Sequence, residues 1–139
     1  LISSNVKKVI DYEIIKKLDK IDSCLDFKSN CENSKSKLLE KINLFKKQGK
    51  SICGYAATSK STTILNYCKI DSNQIDYICD TTKEKIGKFS PGMHIPIKDM
   101  DHFYNNQTKC AYLFAWNHKN EILEKEKDFK GTWFSHVEL

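Results

Sequence analysis

Between residues 51 and 69 the chain reads SICGYAATSKSTTILNYCK: a short apolar run, a turn of small residues, then the hydroxyl-rich start of a helix. A turn of this kind gathers backbone N–H groups at the positive end of a helix, which is chemistry for holding an anion. Laid on the pattern G-x-G-x-x-G, Gly54 takes the tight turn. Ala56 then stands where the backbone must approach a pyrophosphate, and Ser59 where helix and strand pack closely. The methyl group of Ala56 obstructs that approach. Lys60, beside Ser61, Thr62 and Thr63, supplies a cation and hydroxyls at the helix start, so the stretch favours one phosphate or a sugar oxygen over a dinucleotide. Asp80 closes the next apolar run, where a ribose-binding acid would stand, leaving half a fingerprint for NAD or S-adenosylmethionine.

These residues need elements to position them. SICGY reads as a first strand, residues 62–68 as a helix, and IDYICD as a second strand ending at Asp80. The turn-rich stretch TTKEKIGKFSPGMHIPIKDM reads as a loop. A third strand CAYLFAW follows, then a helix capped by Asn117 in NHKNEILEKEKDF, and a last strand TWFSHV. Strands alternating with helices over short loops predict a parallel sheet covered on both faces. Ligands of such sheets bind at the carboxyl ends of the strands, where Tyr55 to Ser61, Asp80, Trp116 and Asn117 would gather. Each also has a structural role open to it. Tyr55 and Trp116 suit packing aromatics, Asn117 a helix cap, and Asp80 a turn.

Upstream, Val6, Val9, Ile10, Ile14, Leu18 and Ile21 recur at three- and four-residue steps and predict an amphipathic helix with one buried stripe. DSCLDFKSNCENSKS loses that period. Leu38, Leu39, Ile42 and Phe45 resume it, and Gly49 closes a second helix. The expected organisation is a helical lead-in over 1–33 and one α/β domain over 34–139.

With 139 residues, the chain is the size of one domain. No apolar run nears the roughly 18 residues of a membrane span, so no membrane is expected as a partner. All 23 basic residues are lysine, giving a net charge of +5 without one arginine. Lacking the bidentate guanidinium fork and interleaved aromatics, the lysines read as a solvated surface, and no nucleic acid is expected. Six cysteines lack CxxC spacing and four histidines are scattered, which argues against a metal site or a disulfide framework. Cys53, Cys68 and Cys79 lie in apolar strand and helix positions, as free thiols in a reducing cytoplasm do. The absence of an initiator Met and of a signal segment suggests a piece of a longer chain.

Taken in order, GYAATSKSTTILNYC, IDYICDTTKEKIGKFSPGMHIPI and YLFAWNHKNEIL resemble the C-terminal domain of the S-adenosylmethionine-dependent C-methyltransferases that act on nucleotide-linked sugars, over about residues 38 to 139. Lys60, Thr63, Asn66, Tyr67, Asp80, Pro91, Gly92, His94, Pro96, Trp116 and Asn117 stand as that pattern has them. It departs at Ala56, Thr58, Ser61 and Thr62, where the family usually has glycine, proline, glycine and asparagine. The resemblance implies a Rossmann-like domain that helps cover a nucleotide-linked keto-deoxysugar. It also implies upstream partners in the same polypeptide: a zinc-binding cysteine region, and a middle domain holding S-adenosylmethionine and the catalytic base. Substrate-binding candidates are then Tyr55, Lys60, Ser61, Thr62, Asp80, His94, Trp116 and Asn117, with no catalytic group and no metal ligand in this chain. A stand-alone nucleotide- or NAD-binding module and a purely structural partner domain are the alternatives.

Overall fold

The computed structural model describes residues 2–105 and 109–139. By contacts the chain divides into two units, one running up to Lys35 and the other from Ser36 onward.

In the first unit, Ser3 caps α1 (Ser4–Ile15), its hydroxyl accepting from the Val6 N–H, and Lys17 leaves the helix with φ at 54°. α1 stops at Ile15 and buries no residue, so Leu18 and Ile21 lie outside it, and Val6, Val9, Ile10, Ile14, Leu18 and Ile21 are all exposed, which corrects the expected single helix with one buried stripe. Periodicity records which side chains share a face and not whether anything covers it. The expected break over residues 22–36 is likewise corrected, because α2 runs unbroken from Ile21 to Lys47. Its serines and asparagines are only moderately poor helix formers, and neither glycine nor proline interrupts them.

Within the second unit, α2 buries Leu38, Ile42 and Phe45, one turn apart along one stripe, and Gly49 follows with φ at 66°. There follow β1 (Ile52–Tyr55), α3 (Ser59–Cys68), β2 (Tyr77–Cys79), β3 (Ile97–Lys98), α4 (Met100–Asn105), β4 (Cys110–Leu113), α5 (Lys119–Lys125) and β5 (Thr132–Phe134). A 3-10 turn over Trp116–His118 precedes α5, and another closes the chain at His136–Glu138. The sheet has the order β3-β2-β1-β4-β5 and every pairing is parallel, as the alternating pattern predicts. β3 falls in the stretch expected to be loop, and α4 begins at its last residue, Met100. Two strand residues directly after Pro96 carry no period to detect.

Side-chain alternation along the strands builds a core on each face. Ile52, Ile78, Cys110, Tyr112 and Phe134 join Leu38, Ile42, Phe45 and Leu65 on one side. Cys53, Tyr55, Cys79, Ala111 and Leu113 join Phe103 on the other. Strands buried on both faces are apolar throughout, which is why SICGY and CAYL read as short runs and not as alternation. No disulfide joins the cysteines, and among the described residues no three His, Cys, Asp or Glu side chains converge as a metal site. No described helix is long and apolar enough to cross a membrane.

Gly54 does not make the turn. It lies inside β1, opposite Ile78 on one side and Tyr112 on the other. A Cβ built there would stand 2.5 Å from Cε2 of Phe114 and 3.1 Å from Cγ1 of Ile78. The glycine is needed because the Phe114 ring lies against the strand, a requirement of packing.

Candidate functional site

From β1 the chain moves outward through β2 and β3, then returns to build β4 and β5 on the other side. The crevice between the carboxyl ends of β1 and β4 is therefore where a sheet of this kind takes a ligand. The segment after β1 leads into α3 and the segment after β4 into the 3-10 turn, so Lys60 and Trp116 face each other across it. The Lys60 ammonium sits 5.8 Å from the centroid of the Trp116 indole, within range of cation–π attraction. Both side chains are exposed.

The hydroxyls beside Lys60 are turned inward. Thr58 is the α3 N-cap: its Oγ1 accepts from the Ser61 N–H at 3.2 Å, and its carbonyl accepts from Ser61 Oγ at 2.6 Å. Thr62 Oγ1 donates to the same carbonyl at 3.5 Å, and Thr63 Oγ1 to the Ser59 carbonyl at 3.1 Å. Ser61 is buried and Thr62 half-buried. Both line a crevice of about 370 Å³ between the first turn of α3 and the segment carrying Lys85, Lys88 and Phe89.

Asp80 stands at the end of β2, as expected, with its carboxylate engaged. Oδ2 accepts from the Ala57 N–H at 2.7 Å and from Lys85 Nζ at 3.3 Å, and Oδ1 accepts from the Thr82 N–H at 2.8 Å. Lys85 also donates to the Ala57 carbonyl at 2.8 Å. Burial alone would raise the Asp80 pKa. Hydrogen bonds from Thr82, Ala57 and Lys85 outweigh it and hold the carboxyl below its ordinary value. Asp80 thus clamps the turn after β1 to the turn after β2, and a ribose diol would have to displace a backbone N–H to reach it. With Ala56 in the turn, its N–H donating to the Cys79 carbonyl at 2.8 Å, these residues do not fit an adenosyl cofactor.

Ala56 lies at φ 74°, in the left-handed region that favours glycine. An alanine in that region costs about 1–2 kcal/mol, offset in part by the greater unfolded-state freedom of glycine. Ala56→Gly is accordingly expected to stabilise the chain by about 0.5–1 kcal/mol in urea unfolding. A loss of stability would mean that the methyl group packs favourably.

Tyr55 points to the other face of the sheet. Its hydroxyl donates to Glu126 Oε1 at 2.6 Å, Tyr104 donates to the same oxygen at 3.1 Å, and its ring meets Phe103 and Trp133 edge-on at 5.3 Å. Burial, then the Glu126 carboxylate, push the Tyr55 phenol well above its usual range. Tyr55 and Asp80 share a cavity of about 320 Å³ with His118, Glu121 and Ile122. Asn117 is exposed within the 3-10 turn and does not cap α5. That helix begins at Lys119 after His118, which makes no side-chain cap bond. His94 is exposed on a turn at φ 53°, its N–H donating to the Ser90 carbonyl at 3.0 Å.

The fold therefore brings Lys60 to Trp116, leaves Asn117 exposed beside Trp116, turns Ser61 and Thr62 to a separate crevice, and commits Tyr55 and Asp80 to internal bonds. It also adds His136, whose imidazole meets the Trp116 indole edge-on, centroids 6.4 Å apart, while its Nδ1 lies 2.9 Å from the Tyr112 hydroxyl. A lone histidine near a chain end gave no sequence signal of this.

A family model described as the C-methyltransferase C-terminal domain matches residues 2–136. The chain is also similar to the C-methyltransferase NovU of Streptomyces niveus, at 31% identity over 104 residues, an alignment covering 75% of this chain and 25% of that protein. The chain spans about a quarter of the length of this relative.

Proposed function

Because the chain belongs to the C-methyltransferase C-terminal domain family, we propose that it forms the substrate-covering part of an enzyme that methylates a carbon of a nucleotide-linked keto-deoxysugar. Residues 34–139 are the body of that part and 1–33 its lead-in, in a protein of the reducing cytoplasm. S-adenosylmethionine supplies an electrophilic methyl group in such a reaction. A general base removes the proton from the carbon that a neighbouring ketone makes acidic. Donor and base belong, in this reading, to upstream domains of the same polypeptide, since the turn after β1 does not fit the donor and Asp80 is engaged.

The observation that carries the reading is the Lys60–Trp116 pair at the β1–β4 crevice. An ammonium beside an exposed indole suits a sugar diphosphate: Lys60 pairs with a phosphate oxygen and the indole covers the apolar face of the sugar. A charge-assisted hydrogen bond contributes about 1.5–3 kcal/mol and a helix terminus about 0.3–1. After association entropy, that leaves millimolar to high-micromolar affinity for this chain alone.

Titrating thymidine diphosphate glucose into the labelled chain is expected to shift amides within 55–63 and at Trp116 and Asn117, and Lys60→Ala to abolish those shifts without lowering the melting temperature. Unchanged spectra at millimolar ligand would leave only a scaffold. Tight stoichiometric binding of S-adenosylmethionine to the chain would equally sink the division of labour.

A further inference from the structure

Tyr112 lies in the middle of β4, fully buried and paired in register with Phe134 of β5. Two residues beyond Phe134, after the buried Ser135 whose hydroxyl accepts from the Val137 N–H, His136 emerges half-buried at the carboxyl edge of the sheet. The Tyr112 ring is wedged edge-on against Phe114 at 4.4 Å and lies 5.0 Å from Phe134, so its hydroxyl has little freedom of direction. That hydroxyl meets His136 Nδ1 at 2.9 Å, and the imidazole stands at 85° to the indole of Trp116. The Lys60 ammonium rests over that same indole.

We propose that His136 is a positioning residue of the Lys60–Trp116 face, oriented by Tyr112 through Nδ1 and in turn fixing the plane of the indole. The inference rests on the ligand-facing reading of that pair for its significance to function, though not for its geometry. It reaches from a buried strand residue to an exposed binding surface by two contacts.

The bond fixes the tautomer. Burial pushes the Tyr112 phenol well above its ordinary range, so it is an O–H donor, and burial pushes the His136 imidazole down, so the ring is neutral near pH 7. With Tyr112 donating to Nδ1, the ring proton sits on Nε2. Protonation would place the ring's second hydrogen on Nδ1, the nitrogen that accepts from Tyr112, and reverse the bond, leaving the phenol hydrogen among apolar rings. Acid should therefore release His136 from Tyr112, and with it the indole. The charged groups on the surrounding elements are Lys60 of α3, across the indole, and Lys37 of α2, which reaches the Leu139 carbonyl at 3.3 Å. Glu138 of the closing turn is ion-paired to Lys119.

The test reads the upfield ring-current shift of the Lys60 ε-methylene protons, together with long-range nitrogen–proton spectra of His136. At pH 7.5 the wild-type chain should show the Nε2–H tautomer and a shifted Lys60 signal. The shift should fade as pH falls below the ordinary imidazole value of about 6.5. His136→Ala and Tyr112→Phe should lose at least half of it. His136→Asn, whose amide oxygen can take the place of Nδ1, should retain it and make it independent of pH. A folded His136→Ala with an unchanged Lys60 shift overturns the proposal, as does an Nδ1–H tautomer. Should His136→Ala not fold, a wild-type shift indifferent to pH overturns it.

Thymidine diphosphate glucose separates this inference from the reading beneath it. Shifts at Trp116 that weaken several-fold in His136→Ala support the positioning role, and undiminished binding in that variant contradicts it. No shifts in the wild-type chain would remove the ligand-facing reading and leave the His136–Trp116 relation decided by the Lys60 signal alone.

Discussion

Gly54→Ala is expected to destabilise the body from Ser36 onward by about 2–3 kcal/mol, lowering its melting temperature by about 10 °C or more. The added methyl group would stand 2.5 Å from the Phe114 ring, which cannot move away freely because Tyr112 packs against it edge-on at 4.4 Å. Either the ring leaves its rotamer or β1 shifts against β2 and β4, and both strands register on Gly54. Val would extend the clash toward Ile78, and Gly54→Val is expected not to fold. The cause is steric, so Phe114→Leu should offset part of the loss, giving a strongly non-additive double-mutant cycle. Gly49→Ala is the control: a Cβ there meets nothing within 4 Å, and its cost, about 1 kcal/mol, comes only from φ at 66°. Equal losses at the two glycines would refute the packing account.

Asp80→Asn should cost about 3 kcal/mol at pH 7, through a carboxylate that accepts three hydrogen bonds while only 6% exposed. One of its oxygens becomes an amide donor facing N–H groups, and Lys85 loses its counter-charge. The pH dependence has a fixed sign. The folded pKa of Asp80 is lowered, so the unfolded state holds its proton up to higher pH. The stabilisation is fully present above the unfolded value of about 3.9 and is lost as pH falls through the lower folded one. Urea midpoints for wild type and Asp80→Asn should therefore stay apart from pH 8 to about pH 5 and converge in stronger acid. A constant gap down to the acid limit would show that the carboxylate's charge is not what holds the two turns together. Because Asp80 sits at the strand edge, the same substitution should also loosen the turn after β1 without touching Lys60 directly.

Both residues have a double history. Gly54 and Asp80 stand where a nucleotide-binding fingerprint would put them, and the sequence offered that use for each. In the fold, one accommodates a phenyl ring and the other clamps two turns. A pattern of residue types records which side chains occur at a strand end. It does not record whether their polar groups point to solvent or to the neighbouring loop.

Order and spacing alone carried the α/β architecture. Short apolar runs ending in small or polar residues, alternating with helical periods, admit few arrangements, because parallel strands need crossovers and both sheet faces need cover. The same logic placed Tyr55, Asp80, Trp116 and Asn117 near the carboxyl edge. Local signals also found the stop at Gly49, where a left-handed residue ends α2. They failed over residues 22–36, where weak turn preferences, without a glycine or proline, did not stop α2 from starting at Ile21 and running through to the strongly periodic stretch after it. They failed again at Ile97–Lys98, a strand too short to have a period. Only the tertiary structure decided which residues of the edge face a common crevice. Lys60 and Trp116 are 56 positions apart and meet because β1 and β4 are neighbours in the sheet. Ser61 turns away because Thr58 caps its helix, and His136 joins Trp116 because β5 pairs with β4 and delivers it there. Such contacts depend on strand order and side-chain direction, which are long-range properties, whereas composition and period are local ones.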